Sequence, residues 1–186
     1  MAARVPEIDP NHLEVRITTM RRRHLRGVLR IENQVYPRPW SLGLFMSELA
    51  MRTGRIYLVA RVGPTVVGYA GLLFSLDDGH ITTIAVDPQW QRSKIGSRLI
   101  VHLARRSIAA GAKNLTLEVR VSNEGAQAMY RQFGFAPAGV RKGYYVETNE
   151  DAIVMWAHDV DSDEYEHRLA EIETAIPGRT IADFAD

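Results

Sequence analysis

The spacing of hydrophobic and polar residues changes several times along the chain, and each change marks an element. Leu13-Glu14-Val15-Arg16-Ile17 alternates with period two, the pattern of a half-buried strand. From about Met20 to Gln34, Leu25, Val28, Leu29 and Ile31 form an apolar stripe, which predicts a helix capped by Thr18 or Thr19. Tyr36-Pro37-Arg38-Pro39-Trp40 cannot continue that helix, because each proline lacks an amide and disfavours helix before it. Ser41 then caps a second helix reaching about Arg52, with Leu44, Phe45 and Leu49. Strands follow over Ile56 to Val62, Val66 to Phe74 and His80 to Val86, separated by the turn signals Gly63-Pro64 and Asp77-Asp78-Gly79. They read as an antiparallel meander. Ile95 to Ala110 is a helix stopped by Gly111, Leu115 to Val119 a strand, and Asn123 to Phe133 a helix ended by Gly134. Tyr144-Tyr145-Val146 and Ala152 to Ala157 give two more strands. Beyond Asp159 the pattern weakens to a short helix over Tyr165 to Thr174, broken by Pro177-Gly178.

The resulting order, βααβββαβαββ, implies an α/β or α+β fold: a mixed, mostly antiparallel twisted sheet with helices on both faces. The 186 residues suit one domain over 13–158, with an N-terminal arm over 1–12 and an acidic C-terminal extension over 159–186. With 46% hydrophobic and 24% charged residues, a disordered or fibrous chain is excluded. The absence of cysteine excludes disulfides, thiolate nucleophiles and cysteine-based zinc sites. Met1 to Pro10 holds no apolar run, and no stretch approaches the roughly 18–20 apolar residues of a membrane span, so a cytoplasmic protein is expected.

The net charge of +1 hides a split. Residues 1–60 carry ten basic and five acidic side chains, and residues 61–146 carry eleven and five. Residues 147–186 carry two and twelve. Arginine outnumbers lysine twenty to three, but the arginines are scattered along the sequence, and no nucleic-acid-binding motif accompanies them.

The segment from Ile84 to Leu99 runs from strand through a polar loop into a helix. The first amides of a helix have no partner within it, and its dipole favours anions there. Such a loop can hold phosphate, and Arg92, Lys94 and Arg98 add positive charge. A basic helix start with solvated arginines is the alternative reading.

Gln91-Arg92-Ser93-Lys94-Ile95-Gly96, following Ile84-Ala85-Val86-Asp87-Pro88, resembles the Q/R-x-x-G-x-G/A pyrophosphate loop of the GNAT superfamily of acyl-CoA-dependent N-acetyltransferases. Leu117 to Asn123, Ala128-Met129-Tyr130 and Phe133-Gly134-Phe135 resemble its second diagnostic block. Pro39-Trp40-Ser41, Arg141 to Tyr145 and Glu150 to Met155 are similar to the RimI type, the ribosomal-protein alanine N-acetyltransferases. The resemblance runs from about Val15 to Trp156. Two positions depart from it. Lys94 stands where the loop usually has its first glycine, which is either tolerated or weakens binding of CoA. Val146 follows the two tyrosines where the type tends to have proline.

The resemblance implies a fold with splayed central strands and acetyl-CoA as donor; no His/Asp/Glu set in the sequence has metal-ligand spacing, so no metal is expected. The resemblance also implies an acceptor that is a protein N-terminus, in the RimI type a ribosomal protein. Donor contacts are expected from Ile84, Ala85 and Val86 through their backbone, from Gln91, Arg92, Ser93, Lys94, Ile95, Gly96 and Ser97, and from Asn123 and Tyr130. Glu118 is the candidate base. Strand alternation sets it apart from Leu117 and Val119, and partial burial is expected to raise its pKa. A surface carboxylate paired with Arg120 or Arg141 is the alternative. Tyr130 is the candidate acid for the leaving thiolate, with core packing as the alternative. Tyr36, Trp40, Tyr144 and Tyr145 are candidates for the peptide groove. His80 reads as a solvent-facing turn histidine, with an auxiliary base as its other reading. No nucleic-acid or membrane partner is expected, and the chain is expected as a monomer or weak homodimer. Two other functions stay open: acetylation of lysine side chains or small amines, and a non-catalytic acyl-CoA-binding module.

Overall fold

The computed structural model describes residues 9–51 and 53–184, so most of the expected N-terminal arm lies outside the described residues. Eight strands form one sheet: β1 (Glu14–Thr19), β2 (Arg55–Val62), β3 (Thr65–Ser75), β4 (Asp78–Val86), β5 (Asn114–Arg120), β6 (Ala136–Tyr145), β7 (Glu150–Ala157) and β8 (Arg179–Asp183). Their order across the sheet is β6-β7-β5-β4-β3-β2-β1-β8. The β2–β3–β4 meander is antiparallel as expected. Two pairs are parallel, β4 with β5 and β1 with β8.

Five α-helices flank the sheet: α1 (Leu25–Val35), α2 (Leu42–Ala50), α3 (Ile95–Ala109), α4 (Glu124–Gln132) and α5 (Asp163–Ala175). Period-two alternation divides the apolar residues between two layers. From β2, Tyr57 and Val59 pack with Leu25, Val28 and Ile31 of α1 and Phe45 of α2. Leu58 and Ala60, one residue out of step, pack with Leu99 and Leu103 of α3, Phe133 and Leu169. Among the described residues no helix is long and apolar enough to cross a membrane.

The sheet is not continuous along its length. β4 and β5 pair only at Asp78–Asn114, Gly79–Leu115 and His80–Thr116. Two residues later the β3–β4 register slips: Gly71 faces Thr83 but Leu72 faces Ile81, leaving Thr82 as an extra residue in β4. A bulge bends its strand and increases local twist. β5 meanwhile stays paired with β7 through Arg120. A split therefore opens, with Thr83 to Val86 on one side and Glu118 to Arg120 on the other. This is the expected splay.

The C-terminal region differs most from expectation. The strand predicted over Tyr144 to Val146 begins at Ala136; its residues up to Lys142 are exposed, so no alternation marks it. Within residues 159–186, α5 packs on α3, and the unforeseen β8 pairs with β1. Arg105 of α3 holds Glu166 at 2.8 Å and Glu173 at 2.6 Å, and Arg16 lies 3.5 Å from Asp183. Glu166, Glu173 and Asp183 are thus matched by arginines of the body.

Candidate active site

Two cavities occupy the split. One, of about 450 Å³, lies between β4, β5, the α1–α2 connection and the β6–β7 turn. The other, of about 510 Å³, lies between the end of β4, the loop into α3, and α4. Ile84, Asn123, Ala126 and Tyr130 line both, so the cavities meet at Tyr130.

The second cavity is bounded by Ile84, Ala85, Val86, Gln91, Arg92, Lys94, Ile95, Gly96 and Ser97. Arg98 N–H donates to Lys94 carbonyl at 3.1 Å, which starts the α3 ladder and leaves the amides of Ile95, Gly96 and Ser97 without helical partners. Gly96 lies where α3 closes on α4: a Cβ there would sit 3.3 Å from Met129 Sδ, a tight contact that the methionine side chain would have to yield to. Lys94 takes the left-handed conformation (φ 60°, ψ 20°), and Arg92 also has positive φ, 65°. The loop thus keeps the backbone that glycine adopts freely, against a cost of about 1–2 kcal/mol for each side chain that adopts it. Ser93 does not line the cavity; its N–H is directed to Trp90 carbonyl at 3.4 Å. Arg98 is not at this loop either. It is buried and donates to Thr180 Oγ1 and the Pro177 carbonyl, so its charge fastens the C-terminal segment.

The first cavity carries the titratable groups. Glu118 points into it from β5, its side chain only 8% exposed. His80 Nε2 is 2.6 Å from Glu118 Oε2, and Arg141 lies 3.4 Å from Oε1. The expected direction of the Glu118 shift is reversed. The His80 hydrogen bond, with the charges of His80 and Arg141, outweighs desolvation and holds the carboxyl below its ordinary range. His80 is accordingly not a solvent-facing turn residue; it forms a pair with the buried carboxylate. Its position is set by the last rung of the β4–β5 ladder, His80–Thr116, two residues before Glu118.

Tyr130 is buried on α4, and burial pushes its phenol well above the ordinary value, so it stays protonated. Asn123 Oδ1 accepts from Ala126 N–H at 3.1 Å, capping α4 beneath it. Tyr36, Trp40, Tyr144 and Tyr145 all line the first cavity. Tyr36 O–H donates to Ile84 carbonyl at 2.6 Å, inside the split. Tyr145 O–H donates to Glu118 carbonyl at 3.4 Å, and Tyr144 stands 42% exposed at the rim.

Two further groups organise this rim. Glu32, buried under α1, accepts from Trp40 N–H at 2.8 Å and from Tyr69 O–H, which fixes the α1–α2 connection; burial raises its pKa. Arg120 reaches Glu147 and Thr148 at 2.6 Å and Glu150 at 3.1 Å, and covers the Tyr145 ring at 3.8 Å. It therefore holds the β6–β7 turn against β5. Neither the Glu32–Tyr69 and Arg120 contacts nor the His80–Glu118 pairing follows from local sequence, because each joins residues far apart in the chain. Among the described residues no group of three or more His, Asp or Glu could hold a metal ion.

Residues 25–135 match the acetyltransferase (GNAT) family. A putative [ribosomal protein bS18]-alanine N-acetyltransferase of Bacillus subtilis is 36% identical over 140 residues, 75% of this chain and 93% of that protein. The [ribosomal protein bS18]-alanine N-acetyltransferase of Escherichia coli K12 is 34% identical over 141 residues, 75% and 94% of the two chains. A crystal structure of the Escherichia coli ribosomal-protein-S18-alanine N-acetyltransferase superposes with a TM-score of 0.71 at 31% identity, covering 78% of this chain and 94% of that one.

Proposed function

Since the chain belongs to the GNAT acetyltransferase family, we propose that it moves an acetyl group from acetyl-CoA to the N-terminal amine of a protein, an alanine of a ribosomal protein by likeness to its relatives. The observation that carries this reading is the meeting of two cavities at Tyr130, with the helix-start amides on one side and the His80–Glu118 pair on the other.

In this reading the donor's phosphates lie at the amides of Ile95, Gly96 and Ser97 and beside Arg92 and Lys94. Its extended arm follows the unpaired edge of β4 at Ile84 to Val86, and the thioester reaches Tyr130. The acceptor chain enters past Trp40, Tyr144 and Tyr145. The ammonium loses one proton to the His80–Glu118 pair, Glu118 orienting the imidazole and stabilising its positive charge. The free amine attacks the thioester carbonyl carbon, and a β4 amide near Val86 steadies the developing oxyanion. The C–S bond then breaks, Tyr130 O–H protonates the leaving sulfur, and the amine's second proton restores the phenol. The products are an amide and free CoA thiol.

The test compares initial rates on two peptides, one with a free N-terminal alanine and blocked lysine, the other N-terminally blocked with free lysine. The reading expects turnover on the first. Equal rates on both would instead support a lysine or small-amine acetyltransferase. CoA binding without turnover on any amine would support a non-catalytic module. Tyr130→Phe is expected to keep CoA affinity and lose about 10²–10³-fold in kcat.

A further inference from the structure

The fold pairs several of the body's arginines with carboxylates. Arg30 meets Asp87, Arg55 meets Glu48, Arg105 meets Glu166 and Glu173, and Arg120 meets Glu147 and Glu150. Three other arginines lie close together without such partners. Arg22, Arg23 and Arg26, in the 3-10 turn before α1 and its first turn, are exposed, and none forms an ion pair with a carboxylate among the described residues. Arg22 and Arg26 are four residues apart and Arg23 and Arg26 three, so their side chains share one face. No acidic residue stands in the first turn of α1.

Tertiary packing brings a fourth cation to this face. Gly27 lets α1 close on β3: a Cβ there would be 2.8 Å from Val66 Cβ. Val66 is the register partner of Arg61 on β2, and Arg61 Nε is buried without a hydrogen-bond partner. Buried His24 registers the crowding, its pKa lowered to about 4 by burial and then by Arg23, Arg61 and Arg21. The arrangement costs stability twice. Like charges repel, and cations at a helix start oppose its dipole. Among the described residues no carboxylate pairs with Arg22, Arg23 or Arg26 to offset that cost, whereas a polyanion would.

We propose that the surface formed by Arg22, Arg23, Arg26 and Arg61 binds the phosphate backbone of RNA. Guanidinium groups match phosphate by paired N–H donors. A membrane is the weaker fit, because cationic membrane surfaces add apolar anchors, and no exposed large apolar side chain lies among residues 20–30. The choice of RNA rests on the proposed acceptor, a protein that assembles with RNA; the phosphate chemistry does not. The sequence expectation of no nucleic-acid partner relied on arginines scattered along the whole chain; Arg22, Arg23 and Arg26 are the local exception, and folding adds Arg61 to them.

The experiment uses the full chain saturated with CoA, so that the phosphate loop is occupied, and no acceptor peptide. Fluorescence anisotropy follows a labelled 20-base-pair RNA duplex across a salt series, with phosphatidylserine vesicles as a second probe. The variant carries Arg22→Gln, Arg23→Gln and Arg26→Gln. Expected are salt-dependent RNA binding by the parent, about tenfold or greater weakening in the variant at low salt, and a salt slope smaller by about 2–3. The variant's kcat/KM on an alanine-starting peptide should stay unchanged, which also reports that it folds. Equal RNA affinity of parent and variant, no RNA binding by the parent, or vesicle binding without RNA binding would each overturn the proposal. Because binding is read without acceptor, its failure is separate from any failure of the acceptor assignment.

Discussion

If His80 and Glu118 act as one proton acceptor, removing both should cost no more than removing the imidazole alone. Three variants test this: His80→Gln, Glu118→Gln and the double substitution. The imidazole lies 2.6 Å from a carboxylate that is 8% exposed and has Arg141 at 3.4 Å on its other oxygen. A general base contributes about 10²–10⁴-fold, so His80→Gln should lower kcat/KM by about 10²–10³. Glu118 contributes through a charge-assisted hydrogen bond of about 2 kcal/mol, which corresponds to about 30-fold in rate. Acting independently, the two losses would multiply to about 10⁴. Acting as a unit, the double variant should match His80→Gln within about threefold. The assay is CoA thiol release with an alanine-starting peptide, with CoA affinity measured in parallel and expected to be unchanged. A multiplicative loss, or an unaffected His80→Gln enzyme, would refute the pairing and leave Glu118 to act alone or through water.

Other predictions concern the framework. Lys94→Gly should leave stability within about 1 kcal/mol, because relief of left-handed strain is offset by glycine's chain entropy. At low salt it should weaken CoA binding about fivefold, a difference that fades at high salt; calorimetry reads the affinity. His24 is held to about 4 in the folded protein against 6.5 ordinarily. Its neutral form therefore favours folding, fully so above pH 6.5 and less as pH falls from 6.5 towards 4, by up to about 3 kcal/mol. Urea unfolding of parent and His24→Asn across that window should show a steeper fall in the parent, the remainder coming from groups such as His102 that both proteins share. Arg98→Leu removes the donors to Thr180 and Pro177 and should cost about 3 kcal/mol, with faster amide exchange in β8.

How far the sequence revealed the molecule varied with the range of the interaction. The β2–β3–β4 meander and α3 were legible because alternation, helical spacing and turn residues are local signals. The cavity beside β4 and the start of α3 was legible for the same reason: most of its lining comes from Ile84 to Ser97, one continuous strand–loop–helix segment. β8 was not, because its five residues are specified by their pairing with β1, some 165 positions earlier. β6 lacked a buried face to impose alternation. Glu118 was found as a residue but mistaken in its ionisation, since the groups that lower its pKa, His80 and Arg141, come from β4 and β6. Arg98 showed a charge without showing its direction; its α3 position faces the C-terminal segment rather than the loop.

The central claim is transfer to a terminal amine, and the most direct measurement is where the acetyl group lands. A peptide with a free N-terminal alanine and an unprotected internal lysine is incubated with the enzyme and acetyl-CoA, and fragment-ion mass spectrometry locates the added group. The account predicts acetylation of the alanine amine, slowed about 10²–10³-fold by Tyr130→Phe. Acetyl on the lysine, or on both amines equally, would contradict it.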